Sequence, residues 1–166
     1  MFFTHPTVSF RAGVIFLMAG GLLSACEREQ DPEAISPSMA VYFESVGQGQ
    51  SAAFTDTMEV VVRDSVAWAR LEGQLDTVLP IERIDFSTTM ALLAAVPTPM
   101  GGTNILFESV EDDGASLIAT YSIGMPGRDC RVIDGHAVPF QVVIVPRSDA
   151  PVRFEHGAEL YPCTLR

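Results

Sequence analysis

Cysteine, histidine and carboxylate side chains are the groups from which this 166-residue chain could build a reactive centre, and it holds only three Cys and three His. Beyond the N-terminal segment these are Cys130, Cys163, His136 and His156. The four together could ligate zinc, but no Cys-x-x-Cys or His-x-x-x-His spacing puts two of them on one short turn, so no metal site is expected. Histidine-assisted catalysis needs a hydroxyl or thiol held against the imidazole. Asp134-Gly135-His136 reads as a loop, Glu155-His156-Gly157 lies in a polar stretch near the C-terminal end, and no Gly-x-Ser-x-Gly elbow occurs. Both histidines are therefore read as solvated, and no catalytic residue is assigned. Gly47-Gln48-Gly49 lacks the third glycine and the strand-to-helix setting of a dinucleotide loop, and a chain without lysine cannot form a Gly-Lys-Ser/Thr phosphate loop. Nucleotides are excluded, and no cofactor is expected. Glu111-Asp112-Asp113 offers oxygen ligands for Ca²⁺, yet three adjacent acids before a glycine read first as a solvated turn.

The third cysteine has a different setting. Residues 12–23 carry no charge or strongly polar side chain, Arg11 precedes them, and Leu23-Ser24-Ala25-Cys26 follows. Twelve residues of helix reach roughly 18 Å, short of the ~30 Å hydrocarbon core, so a signal segment over 1–25 is expected rather than a span. Leu-Ser-Ala-Cys resembles the bacterial lipobox at all four positions, which implies cleavage before Cys26 and diacylglycerylation of its thiol; the competing reading is an ordinary secretory signal. A diacylglyceryl group plus an N-linked acyl chain exceeds what stable anchoring needs. Glu27 is not the Asp that retains such proteins at the inner membrane of enteric bacteria. The expected address is thus the bacterial cell envelope, at the outer membrane, facing the periplasm or the cell surface. In that oxidising compartment the two remaining thiols, Cys130 and Cys163, are expected to form a disulfide worth roughly 3–4 kcal/mol by the chain-entropy argument.

Positioning these groups falls to one small domain. Acidic residues outnumber basic ones 21 to 10, for a formal charge of -11, and removing Arg11 with the signal lowers it to -12. No basic surface exists for nucleic acid. Hydrophobic residues make up 48% of the chain, enough for a core. Residues 26–55 are rich in acids, Pro, Gly, Ser and Gln and read as a lipidated, flexible tether, with an edge strand allowed at 41–46. The folded domain is expected over 56–166. Met58–Arg63 reads as a strand, and Asp64 or Ser65 caps a helix over Val66–Leu75 with Trp68 as its core anchor. Leu79-Pro80-Ile81 ends that region. Met90–Val96 reads as a buried strand, although its unbroken apolar run also allows helix. Ile105–Val110 and Leu117–Ile123 alternate around Asp113-Gly114, the signature of a hairpin. Phe140–Val145 is a further buried strand. The expected class is α+β: five to six mostly antiparallel strands and one main helix.

In order along the chain, Val60-Val61-Val62-Arg63 before Trp68, then Leu79-Pro80, Ile84-Asp85-Phe86-Ser87, Gly101-Gly102, Pro126-Gly127 and Pro139-Phe140 before Val142-Val143-Ile144-Val145-Pro146 resemble the PrcB-like family, named for a lipoprotein subunit of a bacterial surface protease complex. The resemblance covers residues 57–155. It departs from the family where Met100 precedes the glycine pair, where Thr103-Asn104 follow it, and at Val138. It implies a β-rich exported domain that supports a partner protease and is not itself the protease; with no catalytic constellation among its residues, the chain is not expected to be an enzyme.

Two further readings compete with that of an accessory or binding protein for an envelope protease or another envelope protein. Pro97, Pro99, Gly101 and Gly102 could form a rigid exposed recognition loop, in kind like the wedge of a protease inhibitor, or simply a tight turn. A hydrolase would require an acid or hydroxyl to converge on His136 or His156 within a pocket.

Overall fold

The computed structural model describes residues 37–79, 84–132 and 134–163. The expected signal segment, the acylation residue Cys26 and the start of the tether lie outside the described residues, as do Pro80 and Ile81. Ten strands and one helix follow one another: β1 (Met39–Ala40), β2 (Glu44–Gly49), β3 (Met58–Val62), α1 (Ser65–Glu72), β4 (Thr89–Ala95), β5 (Thr98–Met100), β6 (Asn104–Asp112), β7 (Leu117–Pro126), β8 (Asp134–Ala137), β9 (Phe140–Pro146) and β10 (Val152–Tyr161). The class is the expected mostly antiparallel α+β, but the strand count is ten rather than five to six. The additional strands have weak local signatures: β1 is two residues, β5 contains Pro99, β8 covers the stretch expected as a loop around His136, and β10 contains Gly157 and three charges. Pairing partners, not local propensity, make them strands.

The strands form a sheet in the order β1-β6-β7-β10, a second in the order β2-β9-β4-β3, and a small β5-β8 pair. β4 pairs antiparallel with β3 and with β9. Its Ala91, Leu93 and Ala95 enter a core shared with Trp68 and Leu71 of α1, while Met90, Leu92 and Ala94 enter the core between the two large sheets, with Phe107, Val110 and Tyr121. A strand buried on both faces has no polar face, which explains why Met90–Val96 shows no alternation.

α1 starts where Asp64 accepts a hydrogen bond from the Ala67 N–H at 2.8 Å, and it ends at Glu72, short of the expected Leu75. Trp68 is fully buried, 6.2 Å from the Phe86 ring centroid. Its indole Nε1 has no acceptor among the described residues.

The fold begins earlier than residue 56. β2 pairs with β9 from Glu44 to Gly49, three residues beyond the strand expected at 41–46, and Val46 and Phe54 are buried in the α1-side core. Gly47 and Gly49 owe their types to this packing, since a Cβ at either would collide with the Leu79 side chain or the Phe140 ring. Between the sheets, the buried Gln141 accepts from the Phe107 N–H at 2.6 Å and donates to Ser45 Oγ at 3.1 Å. Phe107 adjoins the register shift in β6, so Gln141 satisfies an amide that the irregular ladder leaves to a side chain.

β6 and β7 form the hairpin expected at Asp113-Gly114. β10 then pairs parallel with β7 without interruption, from Val152 opposite Leu117 to Tyr161 opposite Pro126; the other ladders are antiparallel. No described helix is long and apolar enough to cross a membrane.

Candidate functional site

The residues singled out in the sequence meet at one end of the molecule. Pro97 leads into β5, where Pro99 is exposed, and Gly101-Gly102 turns the chain from β5 into β6. β5 is held against β8 by pairing of Thr98 with Ala137 and Met100 with Asp134. Proline is admissible in β5 because this pair is short and two-stranded, so Pro99 can leave its missing donor on the outside. The turn is braced from within by the buried Thr103, whose Oγ1 lies 3.5 Å from the Met100 carbonyl and 3.4 Å from Thr98 Oγ1. Gly102 has φ +86, a conformation that side chains with a Cβ rarely adopt.

From the other side, Tyr161 at the end of β10 donates its hydroxyl to the Gly102 carbonyl at 2.6 Å. The Tyr161 carbonyl accepts from the Gly127 N–H at 2.9 Å. Two residues further on, Cys163 lies at disulfide distance from Cys130, with Cα atoms 5.0 Å apart. The Cys163 N–H donates to Asp129 Oδ2 at 2.9 Å. A cavity of about 240 Å³ results, walled by Gly101, Gly102, the disulfide, Arg131, Val132 and Tyr161. Arg131, Met100 and Val132 are exposed at the surface of this end. The sequence reading found the cysteine pair and the glycine pair but not their convergence, and it missed Tyr161, the residue that ties them together. Only its position two residues before Cys163 hinted at it.

The other candidates fall elsewhere. His136 lies on β8 and is exposed, and His156 lies on β10 rather than in an unstructured tail. No group of three or more metal-binding side chains converges among the described residues. An acid does approach His156: Glu59 Oε1 is 3.7 Å from its Nδ1 and accepts the Tyr121 hydroxyl at 2.9 Å, while the Tyr121 and His156 rings stack at 5.1 Å. This cluster contains no activated nucleophile. Burial, and then the bond to Glu59, push the Tyr121 hydroxyl above its ordinary pKa, opposite to what attack on a substrate needs.

The acids at the hairpin are engaged in the turn. Asp112 accepts from the Gly114 N–H, and Asp113 accepts from the N–H groups of Ala115 and Ser116 and pairs with Arg153 at 2.9 Å. Those N–H groups, Ala115 first, hold the Asp113 carboxyl below its ordinary pKa. Comparison of the chain with protein-family models, with curated proteins and with solved structures finds no match.

Proposed function

We propose that this chain is an accessory protein of a bacterial envelope, tethered through a lipid on Cys26, that presents its β5-β8 arm to a partner protein such as a protease. The observation that carries the reading is the meeting of the positive-φ Gly102 turn, which follows β5 of the arm, with Tyr161 and the Cys130–Cys163 pair around one cavity. Bracing an exposed segment in this way removes conformational freedom before a partner arrives, which is how a recognition surface gains affinity. The ordered motifs that resemble the PrcB-like family and the Leu-Ser-Ala-Cys sequence support the same role and address.

The test places a photo-crosslinking residue at Met100, and at Val66 on α1, which is more exposed still, as the control. Adducts with one envelope protein from position 100 and not from position 66 are expected, and equal or absent labelling at both refutes the reading. Cys26→Ser should abolish incorporation of a fatty-acid probe. Protease inhibition is the second reading, favoured by the exposed, extended Pro99-Met100. Titration against cysteine and serine proteases decides it, because a wedge loop inhibits at stoichiometric amounts and an accessory arm does not.

A further inference from the structure

β10 is the longest edge strand among the described residues. It pairs with β7 along one side for ten residues, and its other side pairs with no strand among the described residues. From Glu155 to Leu160 every residue is exposed. An edge of this length displays a row of unpaired backbone donors and acceptors, and proteins normally shorten or bulge such edges, interrupt them with proline or line them with charge. β10 is ten residues long, contains no proline and shows no register shift against β7; its one device is charge, at Arg153, Glu155 and Glu159, which selects among the ways a second strand can pair with it.

The side chains of β10 indicate what fits this edge. Val152 and Phe154 pack on the core between the sheets and His156 stacks on Tyr121, so by alternation Ala158 and Leu160 share that inward face, where Leu160 is left 67% exposed. Arg153, Glu155, Gly157 and Glu159 occupy the opposite face. An antiparallel partner strand must oppose residues of the same face, and this restricts the ways β10 can pair with another β10. Two such registers overlap nearly the whole strand. One centres on Gly157 and sets Glu155 against Glu159, twice by symmetry, which is repulsive. The other centres on His156, sets Arg153 against Glu159 twice, and lays Val152 over the exposed Leu160. Arg153 can serve both partners: its Nη2 binds Asp113 and its Nε binds Ser116 Oγ, leaving Nη1 for a second carboxylate. Glu159 makes no hydrogen bond or ion pair among the described residues.

We propose that β10 is a self-association edge: two copies join β10 antiparallel about a twofold axis at His156, with Arg153 of each opposite Glu159 of the other. The two β1-β6-β7-β10 sheets then become one continuous sheet. Twofold pairing through identical surfaces is the commonest form of oligomer, and here the alternation of charge along one strand sets the register.

Sedimentation of the whole chain in a non-ionic detergent, over a concentration series, reads the monomer–dimer equilibrium. Arg153→Glu converts two attractive pairs into two repulsive ones and leaves the Gly157-centred register repulsive as well, so it should weaken the dimer by about tenfold or more. Adding Glu159→Arg restores opposite charges across the pairs and should restore the dimer. A chain that stays monomeric throughout the series overturns the proposal, as does a dimer that Arg153→Glu leaves unchanged. Arg153→Glu also removes the bond to Asp113, so the register is probed separately by single cysteines. Under mild oxidation His156→Cys should link to its twin and Gly157→Cys should not; the opposite preference, or equal linkage, refutes the arrangement.

Discussion

Replacing Gly102 by alanine should destabilise the domain by about 1.5–3 kcal/mol, whereas the same change at Gly101 should be neutral or slightly stabilising. The asymmetry follows from the backbone. Gly102, at φ +86, and Gly114 are the glycines at positive φ among the described residues, and Gly101 is not one of them. A Cβ in the left-handed region costs about 1–2 kcal/mol. At Gly102 that Cβ would also sit 3.3 Å from the Tyr161 hydroxyl, which must shift away from the Gly102 carbonyl it bonds at 2.6 Å. Weakening that bond adds about 0.5–1 kcal/mol. Gly101→Ala instead reduces the freedom of the unfolded chain and carries no left-handed penalty. At roughly 3–5 °C per kcal/mol for a domain of this size, thermal unfolding with the disulfide intact should place Gly102→Ala roughly 5–15 °C below the parent. Tyr161→Phe alone should cost about 1 kcal/mol, and the double variant less than the sum, because the two changes remove the same bond. A Gly102→Ala protein that melts with the parent, or a Gly101→Ala protein that melts lower, would show that the turn is not the strained brace described above.

Trp68→Ala should cost about 3–5 kcal/mol, the usual loss for an emptied aromatic core site. Trp68→Phe should cost clearly less, because the indole N–H it removes bonds nothing among the described residues; chemical denaturation measures both. Cys163→Ser should lower stability by roughly 3–4 kcal/mol in the same assay, and in the parent neither Cys130 nor Cys163 should be alkylated before reduction. Asp113 is held below its ordinary pKa of 3.8, so its contribution to stability is present above the unfolded value near 3.9 and is lost as pH falls through the lower folded value. Acid unfolding curves should therefore steepen below about pH 4, and Asp113→Asn should lessen that dependence without abolishing it, since Asp85, held low first by the Ser87 hydroxyl, acts in the same sense.

The parts of the fold that a sequence exposes are those whose residues carry their own reason. Asp113-Gly114 can hardly avoid a turn, Asp64 caps α1 by itself, and once Cys26 is set aside as the expected acylation residue the two remaining cysteines have one partner each. β5, β8 and β10 carry no such reason. Pro99, Gly135 and Gly157 each argue against a strand, and only the neighbouring chain, supplying hydrogen bonds from β8, β5 or β7, overrules them. The helix-or-strand ambiguity of Met90–Val96 has the converse origin: burial on both faces erased the period that distinguishes the two. The candidate site was legible as separate residues and illegible as a place, because Tyr161 reaches Gly102 across 59 positions of sequence.

The parallel pairing of β7 with β10 also dictates an order of assembly. After β7 the chain leaves its sheet, forms β8 against β5 and β9 within the other sheet, and only then returns as β10. Delivered N-terminus first, the sheet containing β7 waits with an open side until β10 is available. Such late, long-range closure is slow compared with forming a local hairpin. Cys130 waits as a free thiol over the same interval, and its partner arrives on the segment that completes the sheet. Formation of the Cys130–Cys163 bond is therefore a chemical timestamp for the docking of β10, which quenching thiols at successive times would record.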